Sequence, residues 1–234
     1  MNILSSLPTI RALTLSGFEP KTRPLTDRQR QKLAAVSTML RLTPRTIVYR
    51  EGQPADAVFI NGEGIVISFK ELPSGKRRVA GFRFAADVFG LAEGGVYVNT
   101  ARAITPCTVY RIPLDALTAL LREDADIQFQ LLCKVVHELR QQQRKAIIVA
   151  RRDAPGRIAM FIDMLRRRLA SGRVVDDLVA LPMTRSDIGD YLNLTLETVS
   201  RACRRLSDAG LVRFSTGSVQ IVDRGRFEKL VGKM

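Results

Sequence analysis

The chain has few of the residues that build metal centres and disulfide frameworks: among its 234 residues are three cysteines and one histidine. Cys107, Cys133 and Cys203 stand far apart, so no pair has the close spacing of a zinc site or a redox motif. His137 alone cannot supply a two-histidine zinc centre, and a haem or metal there would need further ligands. Long apolar runs are also missing. Nothing approaches the ~18 consecutive apolar residues of a membrane span. The first twenty residues lack a basic stretch followed by an apolar one and a small-residue cleavage site, so the expected location is cytoplasmic. With no paired carboxylates, activated nucleophile or phosphate loop, the chain is not expected to be an enzyme.

Acidic side chains are outnumbered as well. Lys plus Arg number 37 against 23 Asp plus Glu, giving a net charge of +14 and a pI near 10.5. This excess is spread along the chain and favours a polyanionic partner, nucleic acid ahead of an anionic membrane surface. The 46% apolar and 26% charged content is that of a soluble globular protein, and the length suits two small domains.

Residues 1–24 carry no sustained periodicity and read as a leader. A helix is expected over Leu25–Leu42, with Thr26 as its cap and Leu33, Val36 and Leu40 on its apolar face. From Thr43 the texture changes to short β-rich pieces: Thr46–Tyr49, Val58–Asn61, Ile65–Phe69, Val79–Phe84 and Cys107–Ile112. Glycine-containing turns at 51–54, 61–64 and 73–75 punctuate them, so residues 25–123 predict a β-domain of barrel or jelly-roll type. Residues 124–152 predict a long helix. Its Leu132, Val135, Leu139, Gln142, Ala146 and Val149 follow a 3,4,3,4,3 spacing, the seam of a two-stranded coiled coil. His137 falls opposite that seam.

A third region, 153–234, begins with Asp153-Ala154-Pro155, a helix start. The helix is expected to end at Gly172, with Ile158, Phe161, Ile162 and Leu165 buried and Arg166-Arg167-Arg168 forming a solvated, dipole-compensating face that can also meet phosphate. Next come two short helices. Thr184 with Asp187 caps one that runs to about Leu192, and Thr195 caps a second over 196–209, stopped at Gly210. Leu196, Val199, Cys203 and Leu206 are assigned to the buried face of the second helix, and Glu197, Ser200, Arg201 and Arg204 to the opposite stripe. Two helices so joined are a helix-turn-helix. Arg can donate twice to guanine and Glu can accept from cytosine, so the stripe is a candidate base-reading head. Val212–Phe214 and Val219–Val222 predict a hairpin wing; Thr184, Arg185, Thr195, Ser215, Thr216 and Ser218 are candidate phosphate contacts.

These motifs resemble the CRP/FNR family of bacterial transcription regulators over residues 25–230. The likeness is most specific in Asp187-Ile188-Gly189-Asp190-Tyr191-Leu192 and Glu197-Thr198-Val199-Ser200-Arg201, and extends to Val48-Tyr49-Arg50-Glu51-Gly52 and Asp87-Val88-Phe89-Gly90-Leu91. The resemblance implies an α+β chain with a cyclic-nucleotide-binding-like jelly roll, a long dimerisation helix and a C-terminal winged helix-turn-helix. It further implies a FixK/FNR-like homodimer that reads TTGAT-N4-ATCAA through Glu197, Ser200 and Arg201, recruits RNA polymerase and works as an activator. The departures bear on the signal. No cysteine precedes Cys107, which excludes a four-cysteine iron–sulfur cluster within one chain. In the stretch Gly90 to Ala101 no glutamate stands just after the glycine and no Arg-Ser pair follows, unlike cyclic-AMP receptors, so cAMP is not expected; haem is not expected either, and no cofactor is assigned. The alternative is a sensor regulator whose DNA binding requires a small molecule or haem in the β-domain.

Overall fold

The computed structural model describes residues 26–151, 153–169 and 177–232; the leader and Gly172 lie outside them. The chain divides into two units. One joins the residues up to Lys70 with Ala80–Gln141, the other joins Glu71–Val79 with the residues from Gln142 onward.

In the first unit, Thr26 opens helix α1 (Asp27–Ala35) through a capping box, accepting from Gln29 N at 3.3 Å while its own N–H donates to Gln29 Oε1 at 2.9 Å. The expected helix over 25–42 stops early: Thr38–Leu42 is strand β1, and Leu40 belongs to it. The reason is tertiary. β1 pairs antiparallel with β8 (Cys107–Pro113), from Thr38 opposite Arg111 to Leu42 opposite Cys107, and this ladder overrides a short helical period. Between them lie β2 (Ile47–Tyr49), β3 (Ala57–Glu63), β4 (Val66–Glu71), β5 (Arg77–Arg83), β6 (Val88–Phe89) and β7 (Thr100–Ala103). They form two four-stranded sheets, β1-β8-β3-β6 and β2-β7-β4-β5, the layers of a β-sandwich.

Strand β3 shows why a strict polar alternation is absent. Ala57 and Phe59 pack with Tyr49, Val66, Phe89 and Tyr97, while Val58 and Ile60 pack on the other side with Leu33, Ile112, Leu117 and Leu120. Both faces are covered, so the strand reads as a continuous apolar run. Part of that cover comes from α1 and from α2 (Leu114–Glu123), a helix the sequence reading did not separate from the β-domain. Helix α3 follows as Ala125–Ala150.

The C-terminal part of the chain opens with α4 (Ala154–Leu169), whose N-terminus is capped by Asp153 Oδ1 accepting from Gly156 N at 2.6 Å. Ile158, Phe161, Ile162 and Leu165 are buried as expected. The arginine run is divided: Arg167 is exposed, as expected, and Arg166 is not. Arg166 is buried, donates to Asp163 at 2.8 Å and lies 3.6 Å from Glu228, so it is a core ion pair and not a solvated face. β9 (Leu178–Ala180), α5 (Arg185–Leu192), α6 (Leu196–Asp208), β10 (Val212–Ser215), β11 (Ser218–Ile221) and α7 (Arg224–Gly232) complete the chain. The wing hairpin gains β9 as a third strand, in the order β10-β11-β9. The whole is an α+β protein: β-sandwich, long helix and winged helix-turn-helix.

Candidate nucleic-acid interface

The two helices of the motif are positioned by polar caps. Thr184 Oγ1 accepts from Asp187 N at 3.1 Å and Thr184 N donates to Asp187 Oδ2 at 3.0 Å, closing a capping box on α5. The helix ends where Asn193 takes left-handed backbone (φ 58°, ψ 46°), and the N–H groups of Asn193 and Leu194 both return to Gly189 O. Asn tolerates that conformation better than most residues, because its short amide can bond locally. Gly189 is also the point of closest approach: a Cβ there would lie 2.7 Å from Leu194 O and 3.5 Å from Val199 Cγ2. Thr195 then caps α6, accepting from Thr198 N at 3.2 Å.

On α6, Val199, Ala202, Cys203 and Leu206 are buried. Leu196, assigned to that face from the sequence, is instead 57% exposed. At ~100° per residue the buried set is centred roughly 70° away from Leu196, which leaves it on the flank. Glu197, Ser200, Arg201 and Arg204 are all exposed on the far side, as expected. Arg201 Nη1 lies 3.4 Å from Glu197 Oε1, with the side chains 65% and 76% exposed. A solvated i,i+4 pair of this kind is worth only a few tenths of a kcal/mol, on the order of 0.3–0.5, so the guanidinium is readily diverted to a ligand. Ser200 Oγ donates to Leu196 O at 3.0 Å and keeps its lone pairs.

The phosphate candidates fall into two groups. Thr184, Thr195, Ser215 and Thr216 are exposed, and Ser218 is half-buried, at the helix starts and around the wing turn where Gly217 takes φ 71°. Arg185 is more constrained. Its guanidinium carbon sits 4.5 Å from the Phe214 ring centre and a terminal nitrogen contacts Cys203 Sγ, so it ties α5 to both α6 and the wing. Burial pushes the Cys203 thiol above its ordinary pKa, with Arg185 opposing, and the cysteine sits in the core. Cys107 and Cys133 are likewise free and buried. Among the described residues no three His, Cys, Asp or Glu side chains form a group able to hold a metal ion.

Of the seam positions on α3, Leu132, Val135, Leu139 and Ala146 are exposed while Gln142 and Val149 are half-buried. Phe129 and Ile147 add exposed apolar surface that the spacing did not single out. His137 is half-buried, its Nε2 3.2 Å from Gln141 Nε2. No helix among the described residues is long and apolar enough to cross a membrane.

Comparison with known proteins agrees with this geometry. Residues 39–124 match the cyclic nucleotide-binding domain, and residues 156–230 the Crp-like helix-turn-helix domain. The transcriptional activatory protein AadR of Rhodopseudomonas palustris is 32% identical over 82% of this chain and 80% of its own length. The chain belongs to the CRP/FNR family of transcription regulators. Another CRP/FNR member, the nitrogen fixation regulation protein FixK of Bradyrhizobium diazoefficiens, is 32% identical over 72% of this chain and 71% of its own. Among solved structures, FixK2 from Bradyrhizobium japonicum superposes with a TM-score of 0.76 at 32% identity, covering 85% of this chain and 99% of that one. These CRP/FNR relatives are regulators and not enzymes, and the chain is a DNA-binding transcription regulator of the same kind.

Proposed function

We propose that the protein is a homodimeric activator that reads a TTGAT-N4-ATCAA-like palindrome with α6 and recruits RNA polymerase in the cytoplasm. The observation that carries this reading is the polar stripe Glu197, Ser200, Arg201 and Arg204, exposed together on a helix capped by Thr195 and braced by α5. Arg201 donates to guanine, Glu197 accepts from cytosine, and Ser200 and Arg204 complete the reading head. Thr184, Arg185, Thr195, Ser215, Thr216 and Ser218 hold the backbone phosphates and set the register. A palindrome calls for two copies, and the exposed apolar residues of α3 support pairing through Leu132, Val135, Leu139, Gln142, Ala146 and Val149.

The reading includes no bound cofactor. The family model names cyclic nucleotides, but the residues of 90–101 do not fit a cyclic phosphate. The segment offers no guanidinium; Tyr97 instead stacks on Tyr49 with ring centres 3.9 Å apart and donates its hydroxyl to Ala57 O at 2.8 Å. Phe59 and Phe89 extend the aromatic stack, their centres 5.4 Å apart. One observation favours the alternative, a regulator that needs a different small molecule: Arg83 Nε is buried without a hydrogen-bond partner in the same sandwich.

Fluorescence anisotropy on the palindrome and on a scrambled duplex, without added ligand, tests both. A preference of ~10³-fold or more supports ligand-free reading. Weak binding to both that falls equally with salt would overturn it and favour the sensor.

A further inference from the structure

The turn of the β4–β5 hairpin closes through Gly75 N–H to Leu72 O at 2.8 Å, and its tip, Glu71–Val79, groups with the C-terminal unit. There Arg77 forks onto α5. Its Nε donates to Asp190 Oδ2 at 2.8 Å and its Nη2 to Asp187 Oδ1 at 2.7 Å, with Nη2 also 2.7 Å from Asp190 Oδ2. Asp187 is buried, and its carboxylate is the one that caps α5 against Thr184. Lys145 adds a second grip beside the fork: its Nζ donates to Val79 O and sits 4.7 Å from the Tyr191 ring centre. Residues 187, 190 and 191 are at i, i+3 and i+4, so one side of α5 is held by two cations.

Surface ion pairs usually contribute little, but this one is forked and three-centred, and it engages a carboxylate withdrawn from water. Removing Arg77 would leave the two carboxylates without the cation that bridges them. The held helix is the one that braces the reading head, through the contact at Gly189. We infer that Arg77 is a positioning residue for DNA recognition: by clamping Asp187 and Asp190 it sets the seat of α5, and through α5 the angle at which α6 presents its polar stripe. The inference rests on α6 being the DNA reader.

Arg77→Ala, Asp190→Asn and the double variant test it, with dimers confirmed by light scattering and all measurements at a temperature where each variant is folded. The first readout needs no DNA: amide hydrogen exchange of 188–193 should quicken roughly tenfold in Arg77→Ala while the sandwich amides hold their rates. The second is the ratio of affinities for the palindrome and a scrambled duplex, which a clamp acting on stability alone would leave unchanged in folded protein. That ratio should fall about tenfold in Arg77→Ala, and the Asp190→Asn background, which keeps the Asp187 contact, should reduce the difference that Arg77 makes. An unchanged ratio, an undiminished Arg77 effect in the Asp190→Asn background, or unaltered exchange in α5 would each overturn the clamp. Failure of the wild type itself to prefer the palindrome would overturn the reading assigned to α6, and the exchange data would still judge the clamp.

Discussion

Helices α3 and α6 each leave a stripe of side chains in solvent, and the stripes differ in kind. On α6 the exposed residues are Glu197, Ser200, Arg201 and Arg204, whose polar ends water serves well. On α3 they are apolar: Leu132 and Leu139 are 57% and 58% exposed. The same observable therefore carries opposite meanings. An exposed polar stripe is stable alone and ready to exchange water for base edges, whereas an apolar one gains ~25 cal/mol for each Å² it can cover. On the proposed reading, α6 waits for a ligand of another chemistry and α3 for a surface like itself.

The sharpest way to break this contrast is to place charge in the apolar stripe. Val135→Asp with Leu139→Asp should give monomers by light scattering, and apparent affinity for the palindrome should drop by ~10²–10⁴ as the second half-site ceases to be intramolecular. A dimer that persists would reject the seam. On the polar stripe the effect should be smaller and selective. Arg201→Ala should cost ~1–3 kcal/mol on the cognate half-site and relax preference at its guanine, read by anisotropy on single-base variants.

Arg185→Ala should weaken cognate and random DNA alike and lower the salt slope by about 1, because a phosphate contact carries no sequence information. The packing on Phe214 predicts an added stability loss of ~0.5–1 kcal/mol in thermal melts of the free protein. Equal losses on both DNAs for Arg201→Ala would remove the division between reading and positioning residues. Thr195→Ala should cost ~1 kcal/mol in stability from loss of the cap, seen as a modest fall in melting temperature, and should weaken cognate and random DNA alike, as loss of a phosphate contact does.

Legibility followed the range of the interactions involved. The caps at Thr26, Thr184 and Thr195 act within three residues, and all were apparent from residue type and spacing. So were the wing hairpin and the buried side of α4. Strand β1 was not, because its partner β8 lies near residue 110 and no local signal announces the pairing. β6 and β9, of two and three residues, are too short to show a period. The reading stripe was legible because helical period alone separates it from the core. Leu196 was misplaced because it stands on the border between the two. Arg166 looked like a solvated charge until the fold brought Glu228 beside it, and Arg77 is separated from Asp187 by 110 positions.

Gly189 has one further consequence. With a hydrogen as its side chain, it lets the backbone at Leu194 come within a distance that no Cβ would permit. A single methyl group there would act as a wedge, forcing the two helices apart at their joint and swinging the far end of α6 through a longer arc than the wedge is thick. DNA offers a slot of given width, roughly 12 Å across for the major groove. The missing side chain thus works as a machining tolerance, set at the joint and read out at the far end of α6.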